Sequence, residues 1–327
     1  MESLIGKIRQ SERIVLVSHV HPDGDAVGSL LGLTLALQQL GKKAEPYLRD
    51  GVASVFQFLE GYEQISMAPL PNDASLCIVL DAAEASRTAY ADTIRAYAKR
   101  GALAYIDHHP NADLADLTTT QIVDTTASSC AELVLHLIRA LGVKITSSIT
   151  TPILTGMYTD TGGFQFTNTT EETMQHAADL MRRGGRLNKI VQYISHQKSV
   201  AHLKLVGIAL ERLNVRWKGR AGVSVLTHED MQEAGALDED LTGVVNELNV
   251  LEGIDFILLL TEMQPGEVRG SLRTSDNSRF NVAQLARALG GGGHPRAAGF
   301  TTTGTLIAEG ADWRIAPFLV SSSEHLG

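Results

Sequence analysis

Cysteines and aromatic residues are scarce in this sequence. Only Cys77 and Cys130 occur among 327 residues, far apart in the chain. A disulfide framework or a cysteine-based zinc site needs several cysteines, so both are excluded and we expect two buried free thiols. Because aromatic residues make up 5% of the chain, no extended platform for stacking the bases of a long single strand is expected.

Positive charge is also scarce. The chain has 28 Lys and Arg against 37 Asp and Glu, a formal net charge of -9. Tight, nonspecific binding of a long nucleic acid depends on many basic contacts, so the composition argues against it. An acidic protein can still bind a phosphorylated molecule where metal ions supply positive charge locally.

Long apolar runs are missing. No uninterrupted stretch is long enough to span a bilayer, and Met1 to Glu12 lacks the apolar core of a signal peptide. We therefore expect no membrane association and a cytoplasmic location. With 44% hydrophobic and 20% charged residues, the chain has the composition of a globular protein, and its length suits two domains.

The first half alternates short apolar runs with helical patterns. This alternation predicts an α/β fold with a parallel sheet and flanking helices. The predicted strands are Ile14 to Ser18, Leu76 to Leu80 and Leu103 to Ile106, and the predicted helices are Ala26 to Leu40, Ala127 to Leu141 and Ser147 to Tyr158.

The pattern changes after about residue 170. Helices are predicted at Glu171 to Arg183, Leu187 to Ser195, Val200 to Leu213 and Phe280 to Leu289, and strands at Gly222 to Leu226, Phe256 to Leu260 and Val268 to Arg273. We expect an N-terminal domain at 1–185, a helical connector at 186–212 and a smaller C-terminal α/β domain at 213–327.

Four groups of Asp and His residues follow predicted elements of the first half. They are His19-Val20-His21-Pro22-Asp23-Gly24-Asp25, Asp81, Asp107-His108-His109 and Tyr158-Thr159-Asp160 with the glycines Gly162 and Gly163. Mixed carboxylate and imidazole ligands suit manganese or another first-row metal. Each group alone could instead be a helix cap or a hydrogen-bonded residue; Asp25, for example, could be the N-cap of the first long helix. Asp160 is expected in a glycine-containing loop after the helix that ends at Tyr158. Four such groups at one sheet edge, where α/β proteins bind ligands, favour a metal centre.

A glycine run near the C-terminus is the remaining candidate site. Gly290 to Gly293 would let backbone N–H groups approach a phosphate, Arg273 could bind one in bidentate fashion, and His294 is adjacent. The alternative is a glycine-rich helix stop with an exposed arginine.

Together these segments resemble the DHH phosphoesterase superfamily, specifically the subfamily with a C-terminal DHHA1 domain and its bacterial nanoRNase/pAp-phosphatase group. The matching segments are Ser18 to Ala26, Asp81, Asp107-His108-His109-Pro110, Tyr158 to Phe164, Ser271-Leu272-Arg273, Gly290 to Gly293 with His294, and Ala297-Ala298-Gly299. The resemblance implies a DHH catalytic domain followed by a DHHA1 substrate-binding domain.

The resemblance also implies residue roles. One metal ion would be bound by His19, Asp23 and Asp81, and the other by Asp25, Asp81, His108 and Asp160, with Asp81 bridging. The ions would be Mn²⁺, two per subunit, with Mg²⁺ or Co²⁺ as substitutes. His109 would contact the scissile phosphate or assist the leaving group, and Asp107 would fix an imidazole that binds metal. His21 matches no ligand of the family. Substrate contacts are implied for Ser271, Arg273, Gly291, Gly292, Gly293 and His294.

The activity implied is hydrolysis of oligonucleotides of about 2–5 nucleotides, and of pAp to AMP and phosphate, by a homodimer. A cyclic-dinucleotide or linear-dinucleotide phosphodiesterase would need the same residues and stays an alternative. A single-strand exonuclease is disfavoured by the acidic charge, and an inactive nucleotide-binding regulator by the complete ligand set. An inorganic pyrophosphatase or polyphosphatase would share the motifs of the first domain but is disfavoured by the glycine-rich motif of the second domain.

Overall fold

The structure is a computed structural model that describes residues 1–109, 113–194, 198–249, 251, 253–274, 278, 280–293, 295–310 and 312–317. The chain divides into two compact units, residues 1–197 and residues 198–327. We call them the first and second units. The finer boundaries at 185 and 212 stay a prediction.

The first unit contains a parallel five-stranded sheet, as predicted. Its order is β2-β1-β3-β4-β5, and all four pairings are parallel. The strands are β1 (Arg13–Val17), β2 (Lys43–Tyr47), β3 (Leu76–Leu80), β4 (Leu103–Asp107) and β5 (Gln121–Val123). β1, β3 and β4 are apolar because helices cover both faces of the sheet.

Eight helices flank this sheet among the described residues of the first unit. They are α1 (Glu2–Gln10), α2 (Gly24–Gln39), α3 (Ala91–Lys99), α4 (Asp113–Leu117), α5 (Cys130–Ala140), α6 (Ser147–Asp160), α7 (Glu171–Arg182) and α8 (Leu187–Ile194). Leu16 faces the core formed with α2, α5 and α6, whereas Val15 faces the opposite core, which includes Tyr97 of α3.

Glycines bring α2 and α6 unusually close. A Cβ atom at Gly28 would lie 2.4 Å from the Pro152 carbonyl oxygen, and one at Gly24 would lie 2.4 Å from the Thr159 side chain. The first turn of α2 therefore lies against the last turns of α6. This contact matters because both helices carry candidate metal ligands at those ends.

The second unit contains a mixed six-stranded sheet and a two-stranded sheet. The six-stranded order is β10-β11-β9-β8-β7-β6, with β7 and β8 parallel and the other pairs antiparallel. The strands are β6 (Asn214–Arg216), β7 (Ala221–Leu226), β8 (Phe256–Gln264), β9 (Glu267–Thr274), β10 (Gly292–Gly293), β11 (Ala297–Thr303), β12 (Thr305–Glu309) and β13 (Asp312–Ala316).

Helices cover the two faces of the six-stranded sheet. They are α9 (Val200–Glu211), α10 (His228–Ala234), α11 (Val244–Leu248) and α12 (Val282–Ala288). Leu272 packs with α12 on one face, while Ile257 and Leu259 pack with the other three helices on the opposite face. The α/β fold class predicted from the sequence is confirmed.

Cys77 and Cys130 are both free and buried, as expected. Among the helices that the structure describes, none has the length and apolar character needed to cross a bilayer.

Candidate metal centre

The loop after β1 brings the first candidate ligands to the start of α2. Asp23 is the N-cap of α2, and its Oδ1 accepts hydrogen bonds from the backbone N–H groups of Asp25 and Ala26, each at 3.0 Å. The alternative interpretation, in which Asp25 is the cap of this helix, is therefore wrong. Asp25 lies in the first turn instead, where its side chain is free to point into the protein.

The Asp25 carboxylate is 1% exposed and rests on the N-terminus of α5. Its two oxygens accept hydrogen bonds from the backbone N–H groups of Cys130 at 2.6 Å and Ala131 at 2.9 Å. The positive end of the helix dipole favours a negative charge at this position. Helix α5 thus fixes the orientation of Asp25.

Asp81 follows β3 with a backbone φ of 52°, which is uncommon for a residue with a side chain. It is 2% exposed, and its Oδ1 has no hydrogen-bond partner among the described residues. Imidazoles surround it: Oδ2 lies 3.6 Å from His19 Nε2, and Oδ1 lies 3.9 Å from His108 Nε2 and 3.4 Å from His109 Nδ1. Asp81 therefore lies between the other candidate ligands.

Two sets of metal-binding atoms lie at this sheet edge, and Asp81 belongs to one of them. In the first set, one ligand atom from each of His19, Asp23 and Asp81 lies within 4.8 Å of the others. In the second, the same holds for Asp25, His108 and Asp160. The structure thus brings together the six residues expected to bind metal.

The two imidazoles have defined orientations. His19 Nδ1 lies 2.8 Å from the Val20 carbonyl oxygen, and His108 Nδ1 lies 3.4 Å from that of Ala127. A proton on Nδ1 that is donated to a carbonyl leaves Nε2 as the lone-pair atom, which is the arrangement that metal-binding histidines use. His108 Nε2 is buried without a hydrogen-bond partner among the described residues and lies 3.4 Å from Asp160 Oδ2.

Asp160 was expected in a loop after the helix, and that expectation is wrong. It is the last residue of α6. Helical backbone and the close α2–α6 contact hold its carboxylate beside His108. The pattern Gly24-x-x-x-Gly28 in the sequence is the signal that could have shown this contact.

The carboxylates of the two sets repel one another. Burial and the charge of Asp160 raise the pKa of Asp25 to about 8, and burial and the charge of Asp23 raise that of Asp160 to about 7. Burial and the charge of Asp25 raise the pKa of Asp81 well above its usual range. A divalent cation between these groups would allow all of them to ionise, so the donor set fits a metal ion.

Asp107 holds His109 rather than the side chain of His108. Its Oδ1 lies 2.6 Å from His109 Nδ1 and accepts hydrogen bonds from the backbone N–H groups of His108 and His109, while Oδ2 accepts one from Tyr105. Burial opposes ionisation of Asp107, but these contacts outweigh it and lower its pKa. Asp107 therefore orients the His109 ring and fixes the backbone from which His108 projects.

His21 lies outside both sets. Its side chain is 92% exposed and lies 3.4 Å from an Asp50 oxygen. This position agrees with its interpretation as an ordinary loop residue.

In the second unit, three of the residues expected to bind substrate lie on one face of the sheet. Gly292 of β10 pairs with Gly299 of β11, which in turn pairs with Ser271 of β9. Directly paired residues share a sheet face, and Arg273 lies on that face two residues further along β9. Arg273 donates hydrogen bonds to Asn246 Oδ1 and the Leu272 carbonyl oxygen, each at 2.9 Å, so it is not the freely exposed arginine of the alternative interpretation.

The positions of the glycine run differ in whether they have space for a side chain. A Cβ atom at Gly291 would lie 2.1 Å from the Gly299 carbonyl oxygen, and one at Gly293 would lie 2.6 Å from that of Ala297. Packing against β11 therefore explains these two glycines. At Gly292 a Cβ atom would have no neighbour within 4 Å, so packing does not explain this glycine. His294 lies outside the described residues.

Sequence reasoning missed a buried network next to the metal centre. Glu132 of α5 accepts hydrogen bonds from the Ser128 backbone N–H and hydroxyl and lies 3.0 Å from His176 of α7. These contacts fix the segment that begins α5 and that binds Asp25. A histidine and a glutamate 44 residues apart give no local signal.

This fold, with its candidate metal ligands at one sheet edge, agrees with the comparisons: residues 13–159 match the DHH family, N-terminal domain, and residues 218–311 match the DHHA1 domain. The chain belongs to the DHH family.

Among its relatives is the bifunctional oligoribonuclease and PAP phosphatase NrnA of Thermus thermophilus, which is 35% identical over 89% of this chain and 84% of that protein. The NrnA of Bacillus subtilis is 29% identical over 90% of this chain and 91% of that protein. A crystal structure of an exopolyphosphatase-related protein from Bacteroides fragilis superimposes with a TM-score of 0.84, at 26% identity, over 91% of this chain and 89% of that one.

Proposed function

We propose that this protein is a two-metal phosphoesterase that hydrolyses oligonucleotides of about 2–5 nucleotides to mononucleotides and pAp to AMP and phosphate. The observation that carries the proposal is the pair of buried atoms, Asp81 Oδ1 and His108 Nε2, that have no hydrogen-bond partner among the described residues. Asp81 belongs to one set of donor atoms and His108 to the other, and these two atoms lie 3.9 Å apart. The activity for which the NrnA relatives are named supports the substrate class.

We assign the ligands as the sequence predicted them. His19, Asp23 and Asp81 would hold one ion, and Asp25, Asp81, His108 and Asp160 would hold the other, with Asp81 shared. When bound, two divalent ions lower the pKa of a water molecule and neutralise charge that develops on the phosphate. We propose Mn²⁺ as the preferred ion, because imidazole ligands favour it over Mg²⁺.

The remaining residues of the centre act on the substrate. His109, held by Asp107 at 2.6 Å, would donate a hydrogen bond to the scissile phosphate or a proton to the leaving oxygen. Burial lowers the pKa of His109, but the hydrogen bond and charge of Asp107 outweigh this and raise it. The raised pKa supports a donor role for the imidazole.

In the second unit, Ser271, Arg273 and the segment from Gly291 to Gly293 would bind another phosphate of the substrate, together with His294. The row of Gly292, Gly299 and Ser271 supports this role because it offers a sheet surface with little side-chain bulk. Arg269 lies on the same face and adds positive charge. A homodimer and a cytoplasmic location complete the proposal.

The test is a side-by-side assay of the purified protein with Mn²⁺ on pAp, a dinucleotide, a 24-mer and a cyclic dinucleotide. We expect turnover of pAp and of the dinucleotide and little turnover of the 24-mer. Preference for the cyclic dinucleotide would replace the proposed substrate class, and equal rates on the 24-mer would indicate an exonuclease.

Metal removal tests the centre itself. EDTA should abolish turnover, and Mn²⁺ should restore it better than Mg²⁺. Full activity of protein shown by elemental analysis to be free of metal would overturn the two-metal assignment.

A further inference from the structure

A second group of ionisable side chains lies between α5 and α7, apart from the residues of the metal centre. One ligand atom from each of Glu132, His136 and His176 lies within 4.8 Å of the others. Glu132 and His136 are four residues apart on α5, and Glu172 and His176 are four residues apart on α7. Since residues at this spacing share a helix face, each helix presents one glutamate and one histidine to the other.

Both imidazoles of this group approach one carboxylate oxygen. Glu172 Oε1 lies 3.8 Å from His176 Nε2 and 3.9 Å from His136 Nε2, and the two ring centroids are 4.9 Å apart. These separations are too long for hydrogen bonds. Two ligands bound to one zinc ion at roughly 2.0–2.2 Å each lie no more than about 4.3 Å apart. Each imidazole nitrogen is therefore near enough to Glu172 Oε1 to share an ion with it.

Glu132 determines which nitrogen of His176 is available. Its Oε1 lies 3.0 Å from His176 Nδ1, and Oε2 accepts the Ser128 backbone N–H at 2.8 Å and hydroxyl at 2.7 Å. An ionised Glu132 accepts the Nδ1 proton, which leaves His176 Nε2 with its lone pair directed toward Glu172 and His136.

We propose that His136, His176 and Glu172 form an accessory site for a late first-row divalent ion such as Zn²⁺, with Glu132 orienting His176. A carboxylate that holds the far nitrogen of a ligating histidine is the usual support for such a site. Two imidazoles and one carboxylate favour Zn²⁺ over Mg²⁺ or Ca²⁺. The His136 and Glu172 side chains are 38% and 67% exposed, so an ion can enter from solvent.

The site is independent of the proposed activity, because none of its three ligands belongs to the metal centre. Its ion would join α5 to α7. Since α5 begins with the amides that hold Asp25, occupancy would stabilise the helix that supports the metal centre.

The test compares zinc content across four proteins. Chelator-treated full-length wild type, His136→Ala, Glu172→Gln and Glu171→Gln are dialysed against Zn²⁺, and bound zinc per chain is measured. We expect His136→Ala and Glu172→Gln each to bind one equivalent fewer than wild type. Glu171→Gln is the matched control: Glu171 is exposed on the same turn of α7 but hydrogen-bonds to Gln175, and this variant should bind as wild type does.

Two further measurements separate this site from the metal centre. His136→Ala and Glu172→Gln should retain turnover of a dinucleotide with Mn²⁺, and circular dichroism should show a native fold. Glu132→Gln should keep the stoichiometry and weaken zinc affinity by about 10–100-fold. Equal zinc content in wild type and His136→Ala, or the same loss in Glu171→Gln, would overturn the proposal. Failure of the dinucleotide assay in every protein would count against the proposed function alone.

Discussion

Each unit contains a buried carboxylate, and the two carboxylates differ in their hydrogen-bond partners and in the direction of their pKa shifts. In the first unit, Asp81 is 2% exposed, has an oxygen without a hydrogen-bond partner among the described residues, and has a raised pKa. In the second unit, Asp230 is 6% exposed and accepts hydrogen bonds from two nitrogens of Arg212 and from Thr227. Burial would raise the pKa of Asp230, but these bonds outweigh it and lower the pKa.

This difference separates a structural carboxylate from a functional one. A buried charge is costly unless it is paired, and Asp230 has its counter-ion within the chain. Among the described residues, the ionisable groups recorded near Asp81 are imidazoles and other carboxylates, and none of them is an arginine or lysine counter-ion. An unsatisfied buried group in a folded protein therefore points to the ligand that it binds.

The largest expected effect is on Asp81. Asp81→Asn should lower turnover of a dinucleotide by at least about 10³-fold, because several kcal/mol of transition-state stabilisation depend on the shared ligand. In chelator-treated protein the free energy of unfolding should stay the same or rise, since the substitution removes a repelling charge. Kinetics and urea denaturation on the same samples measure both.

Asp73→Asn is the matched control for this prediction. Asp73 is exposed at the opposite end of the sheet, where it pairs with Arg13, and its substitution should leave turnover unchanged. Activity of Asp81→Asn within tenfold of wild type would remove Asp81 from the centre.

Asp230→Asn should have the opposite effects: a loss of stability with turnover retained. It should lower the free energy of unfolding by roughly 3 kcal/mol, because Arg212 would lose its counter-ion in a mostly buried position. Turnover by the protein that remains folded should stay within twofold of wild type. Urea denaturation followed by circular dichroism measures the loss, with the exposed Asp238→Asn as the control that should change nothing. A turnover defect in folded Asp230→Asn would break the distinction between the two carboxylates.

The parts of the fold that could be predicted are those that depend on the residue pattern within a single segment. β1, β3 and β4 read as apolar runs because they are central strands, and the parallel arrangement then brings Asp81 and His108 to one edge. The sequence did not predict the two edge strands, β2 and β5. β2 contains polar residues and Pro46, and β5 is only three residues long.

The parts of the site that could not be predicted depend on contacts between distant segments. The amides of Cys130 and Ala131 bind Asp25 across more than 100 residues, and nothing local in either segment indicates this. In the second unit, the glycine run is visible in the sequence. The structure is needed to show that β11 leaves no space for a side chain at Gly291 and Gly293 but does leave space at Gly292.

A smaller effect is expected at Arg273. Arg273→Ala should reduce kcat/KM on a dinucleotide that carries a terminal phosphate by about 10–100-fold, the loss of a charge-assisted contact worth roughly 1.5–3 kcal/mol. It should change hydrolysis of bis-p-nitrophenyl phosphate much less, because this small diester lacks the second phosphate that we assign to Arg273. Steady-state kinetics on both substrates measure the difference, with Arg314→Ala as an exposed control. Equal defects on both substrates would contradict the substrate role of the second unit.

The smallest expected effect is the pH dependence of the unfolding free energy that Asp230 contributes. The pKa of Asp230 is lowered in the folded protein, so its ionised form stabilises the fold. This contribution is fully present above the unfolded value of about 3.9 and is lost as the pH falls through the lower folded value. The difference in unfolding free energy between wild type and Asp230→Asn should therefore be constant from pH 7 to about pH 5 and shrink toward pH 3. Urea denaturation at intervals across this range measures it. A difference that persists undiminished at pH 3 would mean that packing around the Asp230 side chain, rather than its charge, stabilises the second unit.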